Sequence, residues 1–228
     1  MTGKAAIRTL QLGKSYRHFP VLKEVSFEVS PGECYALFGP NGAGKTTLLK
    51  ILATLNQPSA GRFEILGRDG VRERSAVRES ILLMAHGSYF YGDLNAVENL
   101  RFSLALRNQT ASTHDIKFVM DRVGIGAFGE FKIRQFSEGM KKRLSIARAL
   151  LIKPRVLLMD EPYSSLDERG MGIMNGFIRE TTSGGAAVFM TSHDRSRAAE
   201  VSQRAGILRQ GVIQEVTLQE LVEAHELF

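Results

Sequence analysis

Long apolar runs are missing from this chain of 228 residues. The longest, such as 186–190 and 81–85, stop far short of the ~20 residues a helix needs to cross a bilayer. The chain is not expected to span a membrane by itself. The N-terminal stretch MTGKAAIRTLQLGKSY has no apolar core of the kind a secretory signal carries, which points to a protein that stays in the cytoplasm. Cysteine occurs once, at Cys34, so no internal disulfide can form. Its place in a predicted buried strand gives that thiol a structural role rather than a reactive one. Repeats and low-complexity tracts are also absent from the sequence.

What remains is ordinary in bulk, with 43% hydrophobic and 24% charged residues, the balance of a soluble globular protein. The length suits one large domain or a domain with an inserted lobe, and is enough to bury a core. The net charge of +6 and pI near 9.6 fit nucleic acid, an anionic membrane surface or simple solubility. Basic residues are spread along the chain rather than gathered in a block, which places nucleic acid last.

The most specific stretch is GPNGAGKTT, residues 39–47. It fits G-x-x-x-x-G-K-[ST] at Gly39, Gly44, Lys45 and Thr46, between a short apolar run (34–38) and a segment of helical character (48–52), which is the context the pattern requires. Glycines at 39, 42 and 44 let the backbone turn its N–H groups inward, toward the positive end of the following helix. Phosphate oxygens are the natural occupant. Lys45 would pair with the terminal phosphates, and the Thr46 hydroxyl would complete the shell of a magnesium ion that keeps several waters.

Before this loop, 7–16 and 21–29 read as strands. Tyr16 could stack on a base or be a half-buried strand aromatic. After it come a helix over about 45–55, a strand over 62–66, a charged surface segment over 68–79 and a strand over 81–85 with His86 at its end. An amphipathic helix starts near Ala96, capped by Asp93 or Asn95, and mostly helix and turn follow to Phe131. This change of type predicts an inserted helical lobe. A further helix, 141–151, has Met140, Leu144, Ala147 and Leu151 on one face and Lys141, Lys142 and Arg148 away from it. Ser137 is its predicted N-cap and a second anion site at a helix N-terminus.

VLLM (156–159) followed by Asp160 and Glu161 reads as a buried central strand ending in two carboxylates, which need a cation or water as partners. In open parallel sheets the strand C-termini face the ligand crevice. Asp160 is therefore assigned to orienting the magnesium through its water shell, and Glu161 to polarising an attacking water. The buried strand 187–190 brings His193 to the same edge, as a contact to the terminal phosphate. Closing strands over 205–208 and 211–216 and a short helix from Leu218 end the reading.

Taken together and in order, these segments resemble the nucleotide-binding subunit of ABC transporters over nearly the whole chain. Tyr16 matches the aromatic that stacks on adenine, and 39–47 the Walker A loop. FSEGM (136–140) matches the signature loop, and VLLMDEP (156–162) Walker B with catalytic Glu161. Ser165–Asp167 matches the D-loop, and Thr191–His193 the switch histidine. The fold this implies is α/β, a P-loop NTPase core with a mixed sheet (parallel central strands plus an antiparallel β subdomain) and an inserted α-helical subdomain. One ABC-type ATPase domain would fill 1–228, its core in 1–85 and 152–228 and its helical part, with the signature loop, in about 86–151.

The resemblance further implies ATP held by Tyr16, Gly39, Pro40, Asn41, Gly42, Ala43, Gly44, Lys45, Thr46 and Thr47. Lys45, Glu161 and His193 would act in catalysis, with Mg2+ at Thr46, Asp160 and, as a further candidate, His86. Two such subunits, a homodimer or a pair of paralogues, would sandwich two ATP molecules. Ser137, Glu138, Gly139 and Met140 of one would face the loop of the other, and Asp167 would communicate across the pair. Transmembrane permease subunits would be the partners, with the chain peripheral on the cytoplasmic face of the membrane, no nucleic acid involved, and Tyr89, Phe90 and Tyr91 facing the partner or buried in the helical lobe. A soluble ABC ATPase of the iron–sulfur assembly type is the alternative.

Two departures stand out. His86 replaces the usual glutamine, and an imidazole is a poor magnesium ligand. The signature reads FSEGM instead of LSGGQ, with Glu138 adding negative charge. Met140 and the segment 93–100 are similar to exporter ATPases, the haem exporter of cytochrome c maturation among them.

Overall fold

A computed structural model describes residues 5–85 and 89–223. In chain order the elements are β1 (Ile7–Tyr16), β2 (Phe19–Val29), β3 (Cys34–Phe38), α1 (Lys45–Leu52), β4 (Ala60–Ile65), β5 (Arg68–Asp69), α2 (Arg74–Ser80) and β6 (Ile81–Met84). Next come α3 (Ala96–Ala105), α4 (Thr113–Arg122), two 3-10 turns (Gly126–Phe128, Ile133–Gln135), α5 (Glu138–Ile152) and β7 (Val156–Asp160). The chain then runs through α6 (Glu168–Ser183), β8 (Ala187–Thr191), α7 (Arg195–Ala199), β9 (Arg204–Arg209), β10 (Val212–Val216) and α8 (Leu218–Glu223). By their internal contacts the described residues form two units, one of 5–85, 154–162 and 178–223, the other of 89–153 and 163–177.

The first unit holds both sheets. One is antiparallel, in the order β2-β1-β4-β5. The other runs β10-β9-β3-β8-β7-β6, parallel from β9 to β6 with β10 antiparallel at its edge. The mixed α/β architecture therefore stands. Strand β7 lies between β8 and β6, and Val156, Leu157, Leu158 and Met159 are completely buried, because a parallel strand covered on both faces must be apolar throughout. Full burial of such a side chain contributes about 1.5–3 kcal/mol. The strand is anchored firmly enough to carry two carboxylates at its end.

Between the sheets sits a stack of three rings. Phe27 lies 5.4 Å from Tyr35 and 5.3 Å from Phe189, and Tyr35 lies 5.8 Å from Phe189. Tyr35 donates its hydroxyl to Glu215 at 3.2 Å. Helix α1 is shorter than the sequence suggests, stopping at Leu52 instead of near Leu55. Thr54 takes a left-handed backbone (φ 59), and the N–H groups of Leu55 and Asn56 both fold back onto the Lys50 carbonyl, which closes the helix end in the manner of a C-cap.

The second unit is helical. Helix α3 opens on Asn95, not Asp93: Asn95 accepts from the Glu98 N–H and the Glu98 carboxylate accepts from the Asn95 N–H, both at 2.8 Å, a complete capping box. Asp93 pairs instead with Arg134. Leu100, Leu104, Ile116, Val119, Met120 and Leu144 form the unit's buried face. Arg148 does not lie where helical period puts it. Periodicity puts it on the polar side of α5, yet it is 9% exposed, with its guanidinium 4.9 Å from the centre of the Phe90 ring. Burial, with a smaller contribution from Arg107, pulls it down to about 10. The aromatic triplet also divides: Phe90 is partly buried under Arg148, while Tyr89 and Tyr91 are exposed.

Candidate functional site

Strand β3 ends in Phe38, and the chain turns through Gly39 (φ 150), Gly42 (φ 80) and Gly44 (φ 107) before α1 begins at Lys45. The turn tolerates little else at Gly39, where an added Cβ would lie 2.4 Å from the Leu208 carbonyl oxygen. Lys45 closes the loop on itself, its Nζ donating to the carbonyl oxygens of Gly39 (2.6 Å) and Pro40 (3.2 Å). Burial pulls this ammonium below the ordinary lysine range, and the carboxylates of Glu161 and Asp160 work against that shift. It is a cation kept partly dehydrated beside two acids, ready to exchange carbonyl partners for phosphate oxygens.

The carboxylates arrive on β7. Asp160 is paired in register with Thr191 of the parallel neighbour β8. The Thr191 hydroxyl donates to Asp160 Oδ1 at 2.6 Å, and the Thr46 hydroxyl donates to Asp160 Oδ2 at 3.1 Å. One carboxylate oxygen is thus oriented from the sheet, the other toward the phosphate loop. Glu161 follows with a left-handed backbone (φ 49), a conformation that costs a residue with a side chain about 1–3 kcal/mol and gathers at functional sites. Its N–H donates to the carbonyl and the hydroxyl oxygen of Thr191, both at 3.2 Å.

His193 leaves β8 on the same edge. Its backbone N–H donates to Glu161 Oε2 at 3.1 Å, and its Nε2 stands 3.3 Å from Glu161 Oε1 and 3.5 Å from Lys45 Nζ. One ring nitrogen cannot donate to Glu161 and accept from Lys45 together. Lys45 carries only donors, so its hydrogen bond makes Nε2 the acceptor, and His193 reaches Glu161 through its backbone N–H. Three contacts thus line up along the C-terminal edge of the parallel sheet: Thr46 with Asp160, Lys45 with His193, and His193 with Glu161.

Thr191, which fixes both acidic residues, has no assigned role in the sequence reading. Only the register reveals it: a hydroxyl at the last position of a buried strand lies beside another strand's terminal carboxylate. Tyr16 ends β1 and is 47% exposed. Its hydroxyl accepts from Asn56 at 3.1 Å, and Lys14 Nζ lies 5.0 Å over its ring. His86 lies outside the described residues.

Ser137, Glu138, Gly139, Met140 and Asp167 belong to the helical unit. Ser137 caps α5, its hydroxyl accepting from the Met140 N–H at 3.2 Å. The extra charge of Glu138 is met by Lys141 at 2.7 Å, one turn along the helix. Gly139 has the Ser165 carbonyl oxygen 2.8 Å from where a Cβ would sit. Asp167 accepts from the Gly170 N–H at 2.8 Å and pairs with Arg143; these two partners, in that order, hold its carboxyl below the usual range.

The donors around Thr46 and Asp160 are hard oxygens, one hydroxyl and one carboxylate, and among the described residues no cluster of three or more His, Cys, Asp or Glu could hold a metal. Magnesium fits such a sparse set, since it binds through one or two protein oxygens and takes its other partners from phosphate and water.

Known proteins resemble this chain as a whole. A family described as ABC transporter matches residues 22–164. The daunorubicin resistance ATP-binding protein DrrA3 of Streptomyces coeruleorubidus is 35% identical over 214 residues, covering 91% of this chain and 67% of that protein. The cytochrome c biogenesis ATP-binding export protein CcmA of Pseudomonas aeruginosa is 34% identical over 169 residues, covering 74% of this chain and 83% of its own length. Sulfate/thiosulfate import ATP-binding proteins match as well. Among solved structures, the ATP-binding cassette MJ0796, a dimer in a post-hydrolysis state bound to ADP and Pi, superposes with a TM-score of 0.84 at 25% identity, over 93% of this chain and 98% of that one.

Proposed function

This chain belongs to the ABC transporter ATP-binding family, and from that premise we propose that it powers an exporter by hydrolysing ATP between two paired subunits. It is an ATPase and the ATP-binding subunit of an ABC transporter. The observation that supports the hydrolytic role is the set of Lys45, Asp160, Glu161 and His193 at the sheet edge beside the glycine loop. Residues 39–47 cradle the phosphates, with Lys45 on the terminal ones. Thr46 and Asp160 would hold magnesium, which would supply positive charge against the phosphates. Glu161 accepts hydrogen-bonding protons of a water placed against the γ-phosphorus. As the water oxygen bonds to phosphorus, the bond to the β–γ bridging oxygen breaks with its electron pair staying on ADP, and the proton the water gives up passes by way of the Glu161 carboxylate to the phosphate product. His193 steadies Glu161 and contacts the γ-phosphate.

Ser137 to Met140 of a second copy or a paralogue complete the site in this reading, and Asp167 links the two. The partners are transmembrane permease subunits, with the chain peripheral on the cytoplasmic face of the cell membrane. The one-domain organisation, with the core in 1–85 and 152–228 and the helical part in about 86–151, belongs to the same proposal. Export is favoured by the likeness to CcmA, whose name carries that direction.

The test is affinity purification of the tagged full chain from detergent-solubilised cells of its source. Integral membrane proteins should copurify, and adding them back should raise the ATPase rate. A chain recovered from the soluble fraction with iron–sulfur assembly proteins instead would sink the transport reading.

A further inference from the structure

We propose that Arg143 is a positioning residue for hydrolysis: it clamps the segment 165–167 to helix α5, so that this segment and Ser137 meet the second subunit as one body. The inference rests on the paired-subunit reading and deepens it. Arg143 closes a run of three basic residues, the pattern of a solvated face. Its side chain is nonetheless only 13% exposed. The guanidinium packs under the turn that follows α4, where a Cβ added at Gly124 would lie 3.1 Å from Arg143 Nη1. The other terminal nitrogen, Nη2, donates to Asp167 Oδ1 at 2.5 Å. That same oxygen accepts from the Gly170 N–H at 2.8 Å, so the carboxylate is held from α5 on one side and from the first turn of α6 on the other.

A second contact lies on the same helix face. Gly139 and Arg143 are four residues apart and therefore neighbours along one side of α5. A Cβ added at Gly139 would come within 2.8 Å of the Ser165 carbonyl oxygen, so only a glycine lets the two backbones approach this closely. Ser165 takes a left-handed backbone (φ 64), a conformation that surrounding contacts must hold in place. A single point of attachment would leave 165–167 free to pivot on the helix. Two points, one turn apart, fix its direction as well as its distance. All of these residues lie within the helical unit, so the clamp is internal to one subunit.

Stability is not what this pair supplies. The Asp167 side chain is 66% exposed, and ion pairs open to water add little to the fold. What it supplies is geometry. Helix α5 is continuous over 15 residues and is capped by Ser137, so whatever Arg143 holds is held relative to Ser137. In the paired-subunit reading Ser137 and Asp167 both act on the other copy, and the clamp lets one docking event place both.

The experiment compares wild type, Arg143→Gln, Asp167→Asn and the double variant as full chains, by steady-state ATP hydrolysis over a range of chain concentrations and by calorimetric titration with ADP. Arg143→Gln is expected to lower kcat about ten- to hundredfold, the cost of misplacing groups around a reaction, and to leave KM for ATP and the Kd for ADP unchanged, because the loop 39–47 is untouched. The double variant should be no slower than Asp167→Asn alone, since Arg143 acts through that carboxylate. An unchanged kcat in Arg143→Gln overturns the proposal, and so do losses that multiply in the double variant. If Arg143→Gln does not fold, Arg143→Met, which keeps the packed stem without the charge, takes its place in the same cycle. A wild-type rate per chain that does not change with chain concentration removes the paired-subunit reading, a failure distinct from that of Arg143.

Discussion

Glu161→Gln should lower steady-state ATP hydrolysis about 10²–10⁴-fold, the range a positioned general base contributes, while the Kd for ATP stays within a few-fold. The two side chains have the same shape. The glutamine carbonyl oxygen can still accept from the His193 N–H, as Glu161 Oε2 does at 3.1 Å, and the left-handed backbone at φ 49 is no harder for one than for the other. What the amide loses is the negative charge and the ability to polarise a water. Phosphate release at saturating ATP measures the first quantity, calorimetry the second. In the paired-subunit proposal, ATP that is bound but not consumed should also hold the variant as a dimer on gel filtration. Hydrolysis at the wild-type rate would remove Glu161 from the chemistry, and a variant that stays monomeric with ATP would remove the sandwich.

Lys45→Ala has the opposite signature: it should weaken ATP binding about 10–100-fold, since a hydrogen bond from a charged group is worth about 1.5–3 kcal/mol, and hydrolysis should fall with it. The structure supplies the reason for so large an effect from one side chain. Lys45 Nζ already bonds the Gly39 and Pro40 carbonyl oxygens, so it shapes the loop as well as charging it. Lys45→Arg discriminates between those duties, because it keeps the charge while changing the geometry. Loss in both variants means geometry decides; loss in alanine alone means charge does. Unchanged ATP affinity in Lys45→Ala would refute the phosphate assignment.

The parts of this site legible in the sequence are those whose chemistry is local. The glycine loop announces itself because three glycines, a lysine and a threonine must be neighbours in sequence to surround one phosphate. VLLM followed by two acids is nearly as direct, since four apolar residues in a row suit a strand buried on both faces. Thr191 was not legible as the residue that fixes both acids, because its bond to Asp160 depends on how β7 and β8 align. The burial of Arg148 escaped for a similar reason: helical period assigns a charged residue to the outer face, and only the position of Phe90 against it reveals an inward one. The Asn95 cap illustrates a smaller gap. Asp93 and Asn95 are equally suitable by type, and the choice falls to Asn95 because it has Glu98 three residues ahead, which completes the reciprocal pair.

Cys34 opens β3, the strand that feeds the nucleotide loop, and is completely buried. Burial pushes its thiol up to about 12, whereas an unfolded chain would return it to the ordinary range near 8.5. The protein thus carries a clock. A thiol reagent can mark it only when β3 separates from its neighbours, so the labelling rate counts openings of the strand that holds the loop. Ligand that binds the folded form alone lengthens the interval between ticks in proportion to 1 + [L]/Kd. Labelling in the presence of ATP should slow by that factor, and a rate indifferent to ATP would mean that β3 opens without releasing the nucleotide.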